Sequence, residues 1–208
     1  MKILLLTSAG MNIKEEILKI LPKPADQIKV AYIITASKSE KDISYLDRDK
    51  GAMLDLGFSV EEIDIGGKNE KELKEIFKDK DIIYVQGGNT FYLLKYVKES
   101  GFGGVIKDLI ERGKIYIGVS AGSIITGPTI ETAGWKRADK NIVGLKDLTG
   151  LNFVPFLVFV HYEPEHSEIV KQERLACKYP VRILTDEQAF LVRDNEIKLV
   201  GNGPEVKI

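Results

Sequence analysis

The stretch KIYIGVSAGSII, residues 114–125, joins an apolar run to a helix-like segment through a turn that contains two glycines and a serine. Its centre, GVSAG, matches the G-x-S-x-G pattern of a nucleophile elbow, a tight strand-to-helix turn that exposes the hydroxyl of Ser120. The first N–H groups of the following helix, including that of Ala121, would face a tetrahedral oxyanion. The alternative interpretation is a glycine-bordered turn with an ordinary serine. The strand before the motif and the helical pattern after it favour the elbow.

Around this turn, short runs rich in Ile and Val alternate with helical patterns along most of the chain. Strand-like runs include KILLLTSA, IKVAYIITA, SVEEIDI, DIIYVQ, FLVFV and VRILT. Helical patterns include NIKEEILKIL, residues 39–56, EKELKEIF and TFYLLKYVKES. This alternation predicts an α/β fold with a mainly parallel sheet and helices on both faces. Near the end of the chain, AFLVRDNEIKLVG predicts a β-hairpin that turns at Asp194-Asn195. No linker or repeat interrupts the pattern, so we expect one domain over residues 1–208.

Composition excludes several classes of protein and of site. The 208 residues carry 30 basic and 31 acidic side chains, a formal charge of −1, which leaves no electrostatic footprint for nucleic acid or an anionic membrane. The single cysteine, Cys177, excludes an internal disulfide framework, and two histidines without a cysteine cluster argue against a zinc site. The apolar run in MKILLLTSAG is too short for a signal peptide, and no run approaches a membrane span. We expect a cytoplasmic protein without a metal or cofactor.

A second glycine-rich loop, VQGGNT at residues 85–90, also follows a predicted strand. In an open parallel sheet, ligands bind outside the carboxyl ends of the strands. The N–H of Gly88 could complete an oxyanion hole, and the missing Cβ would let a substrate carbonyl approach. A plain turn that caps the next helix with Asn89 or Thr90 is the alternative. A phosphate cradle fits less well, because the loop lacks the lysine ending of a P-loop.

A serine nucleophile needs a base, and the two histidines are the candidates. His161 ends the apolar run VPFLVFV, at a strand end where a base could face Ser120. His166 lies in a polar stretch and is typical of a surface residue. Four carboxylates remain open as the acid that orients the imidazole: Asp186, Glu187, Asp139 and Asp147.

Together these motifs resemble the peptidase E family of serine peptidases, which includes the α-aspartyl dipeptidases and the cyanophycinases. The resemblance rests on GGNTFYLL, YIGVSAGSI, GPTI, the HY at 161–162 and LTDEQAFLV. It implies a fold similar to that of class I glutamine amidotransferases, of the flavodoxin-like kind. It also implies a site with the following roles: Ser120 as nucleophile, His161 as base, Asp186 as acid with Glu187 as the fallback, and the N–H groups of Gly88 and Ala121 as the oxyanion hole.

The stretch after His161 departs from the aspartyl dipeptidases that the chain resembles. It reads HYEPEHSEIVKQER, without a glycine, and its first basic residue is Lys171. Candidates for contact with a substrate are Lys171, Arg137 and Asn89, and we expect no strong preference for an N-terminal aspartate.

The expected function is that of a dipeptidase-like serine peptidase. Its partner would be a small peptide substrate, with no nucleic acid or membrane involved, and the enzyme would be a monomer or small homo-oligomer. One alternative is an esterase or amidase that uses the same residues on a non-peptide acyl substrate. The other is a non-catalytic small-molecule-binding domain on the same scaffold, since a fold does not determine a function.

Overall fold

A computed structural model describes residues 1–136 and 139–208 of the protein. The strands are β1 (Ile3–Thr7), β2 (Lys29–Ile33), β3 (Ser59–Ile63), β4 (Ile82–Val85), β5 (Ile115–Val119), β6 (Leu157–Phe159), β7 (Val181–Ile183), β8 (Gln188–Arg193) and β9 (Glu196–Gly201). Within the described ranges, seven strands form one sheet in the order β3-β2-β4-β5-β1-β8-β9. The strands β6 and β7 form a separate parallel pair, which we call the small sheet.

Helices connect these strands. They are α1 (Lys14–Leu18), α2 (Ser44–Asp55), α3 (Glu70–Phe77), α4 (Thr90–Ser100), α5 (Phe102–Glu111), α6 (Ala121–Ile124), α7 (Thr132–Trp135) and α8 (Ser167–Ala176). Short 3₁₀ turns occupy Gly10–Ile13, Ala25–Gln27, Thr35–Ser39 and Pro164–His166. In the part of the chain that the structure describes, none of these helices has the length and apolar character needed to cross a bilayer.

The main sheet is parallel from β1 to β5 and ends in an antiparallel hairpin. β5 lies between β1 and β4, and β2 lies between β4 and β3. β8 pairs antiparallel with β1 and turns into β9. Leu4 and Leu6 cluster with residues of α3, α4 and α5, whereas Ile3 and Leu5 cluster with residues of α1 and α2. Helices therefore cover both faces, and the predicted fold class with its C-terminal hairpin is confirmed.

Some predicted elements differ in extent from those observed. The segment NIKEEILKIL forms a 3₁₀ turn at Gly10–Ile13 and the short α1 instead of one continuous helix. The helix predicted over residues 39–56 begins at Ser44, because Thr35–Ser39 forms a 3₁₀ turn. The predicted strands FLVFV and VRILT are shorter than expected and pair with each other in the small sheet.

The arrangement of the main sheet decides where a site can form. β4, β5 and β1 are adjacent and parallel, so their carboxyl ends lie at the same edge. The residues that follow these ends are Gln86, Ser120 and Ser8 respectively. In parallel sheets this edge is where ligands bind.

Candidate active site

Ser120 lies on a strained turn between β5 and α6. Its φ of 48° and ψ of −108° fall in a region that residues with a side chain rarely occupy. A Cβ on Gly118 would lie 2.5 Å from the carbonyl oxygen of Gly122, and a Cβ on Gly122 would overlap the carbonyl oxygen of Val85. Both glycines of the motif are therefore required for the backbone to pass through this tight strand-to-helix turn.

His161 and Asp186 form a hydrogen-bonded line with Ser120. Nε2 of His161 is 2.9 Å from Oγ of Ser120, and its Nδ1 is 2.6 Å from Oδ1 of Asp186. His161 follows β6 and Asp186 follows β7, so the parallel small sheet brings both residues to one edge. In the tautomer that suits this geometry, Nδ1–H donates to the carboxylate and Nε2 accepts from the serine hydroxyl. The structure thus brings together a serine, an imidazole and a carboxylate.

The carboxylate and the imidazole of this line are accessible to water. The hydrogen bond with His161 is the main cause that holds the pKa of Asp186 below its ordinary value, and a hydrogen bond from Ser8 and the charge of Lys136 act in the same direction. About half of the Asp186 side chain (52%) and 41% of the His161 side chain are exposed. Water screens charges at such positions, so the orientation of the pair depends on its hydrogen bonds.

The other candidate acids and the second histidine occupy different positions. Asp147 pairs with a lysine on α4, and Glu187 is exposed beside the acid that contacts the imidazole. Asp139 accepts the backbone N–H at the start of α4, and burial raises the pKa of its carboxyl group. His166 accepts a backbone N–H at 3.0 Å within its own turn.

The loop after β4 brings Gly88 close to the elbow. Gly88 has a φ of 128°, and a Cβ there would lie 2.5 Å from the carbonyl carbon of Ala36, so only glycine fits. A Cβ on the preceding Gly87 would lie 3.1 Å from Cβ of Ser120, which measures how closely the loop and the elbow approach. Ala121 is the first residue of α6, so its N–H has no acceptor within the helix.

A cavity of about 410 Å³ includes the serine, imidazole and carboxylate in its wall. Five buried apolar residues among those described contribute to the lining: Val119, Ile124, Ala133, Phe159 and Val160. Among the described residues, the charged ones in the lining are the acids Glu40, Asp42, Asp49, Asp139 and Asp186 and the bases Arg48 and Lys136, so carboxylates outnumber cations there. Over residues 1–136 and 139–208, no three His, Cys, Asp or Glu side chains are grouped so that they could hold a metal ion.

Two of the three residues predicted to contact the substrate lie away from this cavity. Asn89 is buried, and its side chain caps α4 by accepting the N–H of Tyr92. Lys171 is exposed on α8 and pairs with Glu168. Asn89 also donates to the carbonyl oxygen of Lys140, so both side chains bond groups of the protein itself. Arg137 lies outside the described residues.

Comparison with known proteins identifies the family. A family model described as peptidase family S51 matches residues 3–200, nearly the whole chain. The chain belongs to peptidase family S51. The family consists of serine peptidases, so the protein is a serine-type peptidase, and the resemblance to peptidase E is confirmed.

Several relatives are similar in sequence to this S51 chain along most of their length. "Uncharacterized peptidase Lmo0363" from Listeria monocytogenes is 34% identical over 171 residues, which cover 81% of this chain and 83% of the relative. Peptidase E from Nostoc sp. is 28% identical over 217 residues, which cover 97% and 86% respectively. Peptidase E from Shewanella denitrificans is 30% identical over 193 residues, which cover 88% and 79%.

Solved structures of similar proteins share the S51 chain's fold. A crystal structure of a candidate peptidase E protein from Listeria monocytogenes EGD-e superposes with a TM-score of 0.87 at 31% identity, and it covers 98% of this chain and 100% of that chain. The crystal structure of a peptidase from an acI-B1 actinobacterium has a TM-score of 0.68 at 17% identity, with 100% and 93% coverage. This second similarity concerns the fold alone.

Lys136 is a cation of this S51 site that the sequence analysis overlooked. Its ammonium group donates to the carbonyl oxygens of Val160 at 3.0 Å and His161 at 3.2 Å, and it lies 5.2 Å from the ring centroid of Phe159. Burial lowers the pKa of this lysine. It occurs in an irregular stretch, GWKRADKN, where no periodicity shows which base faces inward. The sequence argument had considered its neighbour, Arg137.

Helix α2 supports the loop that contains Gly88. Oε1 of Gln86 accepts the N–H of Gly87 at 2.7 Å, and its Nε2 donates to Oδ2 of Asp49 at 2.9 Å. The hydroxyl of Tyr45 donates to the carbonyl oxygen of Gly87 at 3.3 Å. Asp49 and Tyr45 both belong to α2, and Asp49 is almost fully buried. No motif in the sequence indicates this contact between α2 and the glycine loop.

Proposed function

We propose that the protein hydrolyses small peptides, in the manner of a dipeptidase, through an acyl-enzyme formed on Ser120. The observation that carries the proposal is the 2.9 Å contact between Oγ of Ser120 and Nε2 of His161, with Asp186 bonded to the opposite nitrogen. This separation lies within the range for direct proton transfer to a general base. Membership of family S51 supports the same chemistry.

In the first half of the reaction, His161 accepts the hydroxyl proton as Oγ of Ser120 attacks the scissile carbonyl carbon. Asp186 accepts a hydrogen bond from Nδ1–H of His161. This bond keeps the imidazole in the required tautomer, and the carboxylate stabilises the imidazolium that forms. The N–H groups of Gly88 and Ala121 donate to the developing oxyanion. When the tetrahedral intermediate collapses, the imidazolium gives its proton to the leaving amine, and the acyl-enzyme remains.

In the second half, water replaces the departed amine. His161 accepts a proton from this water as its oxygen attacks the acyl carbon, and a second tetrahedral intermediate uses the same two N–H donors. Collapse of that intermediate returns the proton to Oγ of Ser120 and releases the carboxylic acid. The two halves use the same groups in reverse roles, so no other acid or base is required.

The cavity supports a small substrate with an uncharged side chain. Its volume of about 410 Å³ falls in the usual range for small-molecule sites, roughly 300–1,000 Å³. The apolar lining suits an aliphatic side chain, and the excess of carboxylates among the described lining residues disfavours an acidic one. We therefore propose neutral dipeptides such as Ala-Leu as the first substrates to assay.

Replacement of the nucleophile tests the proposal. Ser120→Ala should lower kcat for Ala-Leu by about 10⁶-fold and abolish labelling by a fluorophosphonate probe. If the Ser120→Ala variant is labelled as strongly as wild type, or keeps undiminished peptidase activity, Ser120 is not the nucleophile. A panel of short-chain acyl esters is assayed in parallel. Turnover of esters without cleavage of any dipeptide would replace the peptidase assignment by an esterase that uses the same serine.

A further inference from the structure

We propose that Ser8 is a positioning residue of this site. Its hydroxyl holds the carboxylate of Asp186 and the backbone of His161 in fixed positions relative to each other. The inference rests on the proposed function, because it concerns the same proton-transfer line. Ser8 follows β1, the strand next to the one that precedes Ser120, and its side chain is fully buried.

Three contacts carry the proposal. The hydroxyl of Ser8 donates to Oδ1 of Asp186 at 2.7 Å. Oγ of Ser8 in turn accepts the backbone N–H of His161 at 2.7 Å. It also lies 3.2 Å from Nδ1 of His161. The Ser8 hydroxyl thus touches both members of the base–acid pair. Ser8 follows a strand of the main sheet, whereas His161 and Asp186 follow the strands of the small sheet. Its hydrogen bonds therefore connect the two sheets at the site.

His161 needs such support because its backbone is strained. Its φ of 53° lies in the left-handed region, which residues with a side chain occupy only when their surroundings hold them there. Ser8 binds the N–H of this residue, and Lys136 binds its carbonyl oxygen at 3.2 Å. Both polar groups of the strained peptide units are therefore anchored.

Asp186 needs support for a different reason. Because about half of its side chain is exposed, water can compete for its oxygens and the carboxylate can rotate. The Ser8 hydroxyl approaches from the buried side and bonds the same oxygen, Oδ1, that faces the imidazole. This bond selects one rotamer of Asp186, the one in which Oδ1 accepts from Nδ1–H. Without it, the imidazole would spend less time in the tautomer that accepts the Ser120 proton.

The test compares Ser8→Ala with wild type on Ala-Leu, with kcat, KM and the pH profile of kcat/KM measured together. We expect kcat to fall about tenfold, with KM within about twofold, because the change affects proton transfer and not binding. We also expect the lowest-pH part of the acidic limb, where Asp186 takes up a proton, to move to higher pH. The hydrogen bond from Ser8 is one of the causes that lower the pKa of Asp186, so its loss raises that pKa. Lys136 and His161, the charged groups that also act on Asp186, stay in place.

Ser100 provides a matched control. It is also buried, at the end of α4, and its hydroxyl donates to the carbonyl oxygen of Tyr96 and accepts the N–H of Phe102. Ser100→Ala therefore removes a similar pair of bonds far from the site. We expect it to lower the melting temperature to a similar degree while kcat and the pH profile stay at their wild-type values.

The outcomes separate positioning from stability. If Ser8→Ala keeps the wild-type kcat and pH profile, or if it loses activity only in proportion to the unfolded fraction, the inference is overturned. Should Ser8→Ala not fold, Ser8→Cys fills similar space with a weaker donor, and the same two changes are expected. Ser120→Ala is measured in the same series. Retained activity in Ser120→Ala would refute the proposed function itself, whereas a silent Ser8→Ala beside an inactive Ser120→Ala would refute this inference alone.

Discussion

Gly88→Ala should remove most of the activity while leaving a folded protein. The new Cβ would lie 2.5 Å from the carbonyl carbon of Ala36, whereas Cβ contacts below 3.0 Å are essentially absent from real structures. The neighbouring atoms are backbone and cannot rotate away, so the loop must move by at least about half an ångström. The φ of 128° adds strain of roughly 1–3 kcal/mol.

That movement displaces the proposed oxyanion donor from the substrate carbonyl. Loss of one such donor costs about 10²- to 10³-fold in kcat, and a misplacement near 1 Å elsewhere in a site costs about 10²-fold. We therefore expect kcat for Ala-Leu to fall at least about 10²-fold in Gly88→Ala. The rate of fluorophosphonate labelling should fall with it, because phosphonylation also places an oxygen beside these N–H groups.

Gly104→Ala is the control for this substitution. Gly104 lies exposed on α5, and a Cβ there meets nothing within 4 Å. Alanine is the better helix former by about 1 kcal/mol, so the control should keep wild-type kcat and melt at the same or a higher temperature. A folded Gly88→Ala variant with kcat within about twofold of wild type would refute the assignment of this loop to the oxyanion.

Two further predictions concern the acid and the substrate. Asp186→Asn should lower kcat by several orders of magnitude, up to about 10⁴-fold, whereas Glu187→Gln should stay within about threefold, because Asp186, and not Glu187, contacts Nδ1 of His161; the reverse ranking in steady-state assays would move the role to Glu187. The kcat/KM ratio of Asp-Leu to Ala-Leu should stay below about 10, since the part of the cavity lining that the structure describes holds five carboxylates and two cations; a ratio above about 10³, some 4 kcal/mol of discrimination, would reveal a dedicated cationic pocket.

Elements with strong local signals were predicted from the sequence with correct bounds. α3 and α4 begin directly after Asn69 and Asn89, whose side chains cap them, and Asn69 also forms a capping box with Glu72. The strands β1, β2, β4 and β5 are almost entirely buried and apolar on both faces, so their runs stand out without any knowledge of the partner strands. The turn at Ser120 was predictable for the same reason, since each part of it lies within a few residues.

Features that depend on distant contacts were not predictable. β6 and β7 have three residues each, and nothing in either run shows that it pairs with the other instead of the main sheet. Ser8 is separated by 153 residues from His161, so its contact exists only in three dimensions. Lys136 faces the cavity because α7 ends beside β6, and the sequence around it has no periodicity that indicates this orientation.

The separate small sheet places the proposed catalytic residues on two different parts of the fold. Ser120, the proposed nucleophile, and the glycine loop follow strands of the main sheet, whereas His161 and Asp186 follow β6 and β7. For protein engineering, the part that would bind the substrate carbonyl, on the main sheet, could be kept while the part that would transfer protons, on β6 and β7, is exchanged. A replacement for β6 and β7 would introduce a new base, while the turn at Ser120 and its N–H groups would keep their positions. Such a graft would have to satisfy one strict condition, the alignment of the new base with Oγ of Ser120.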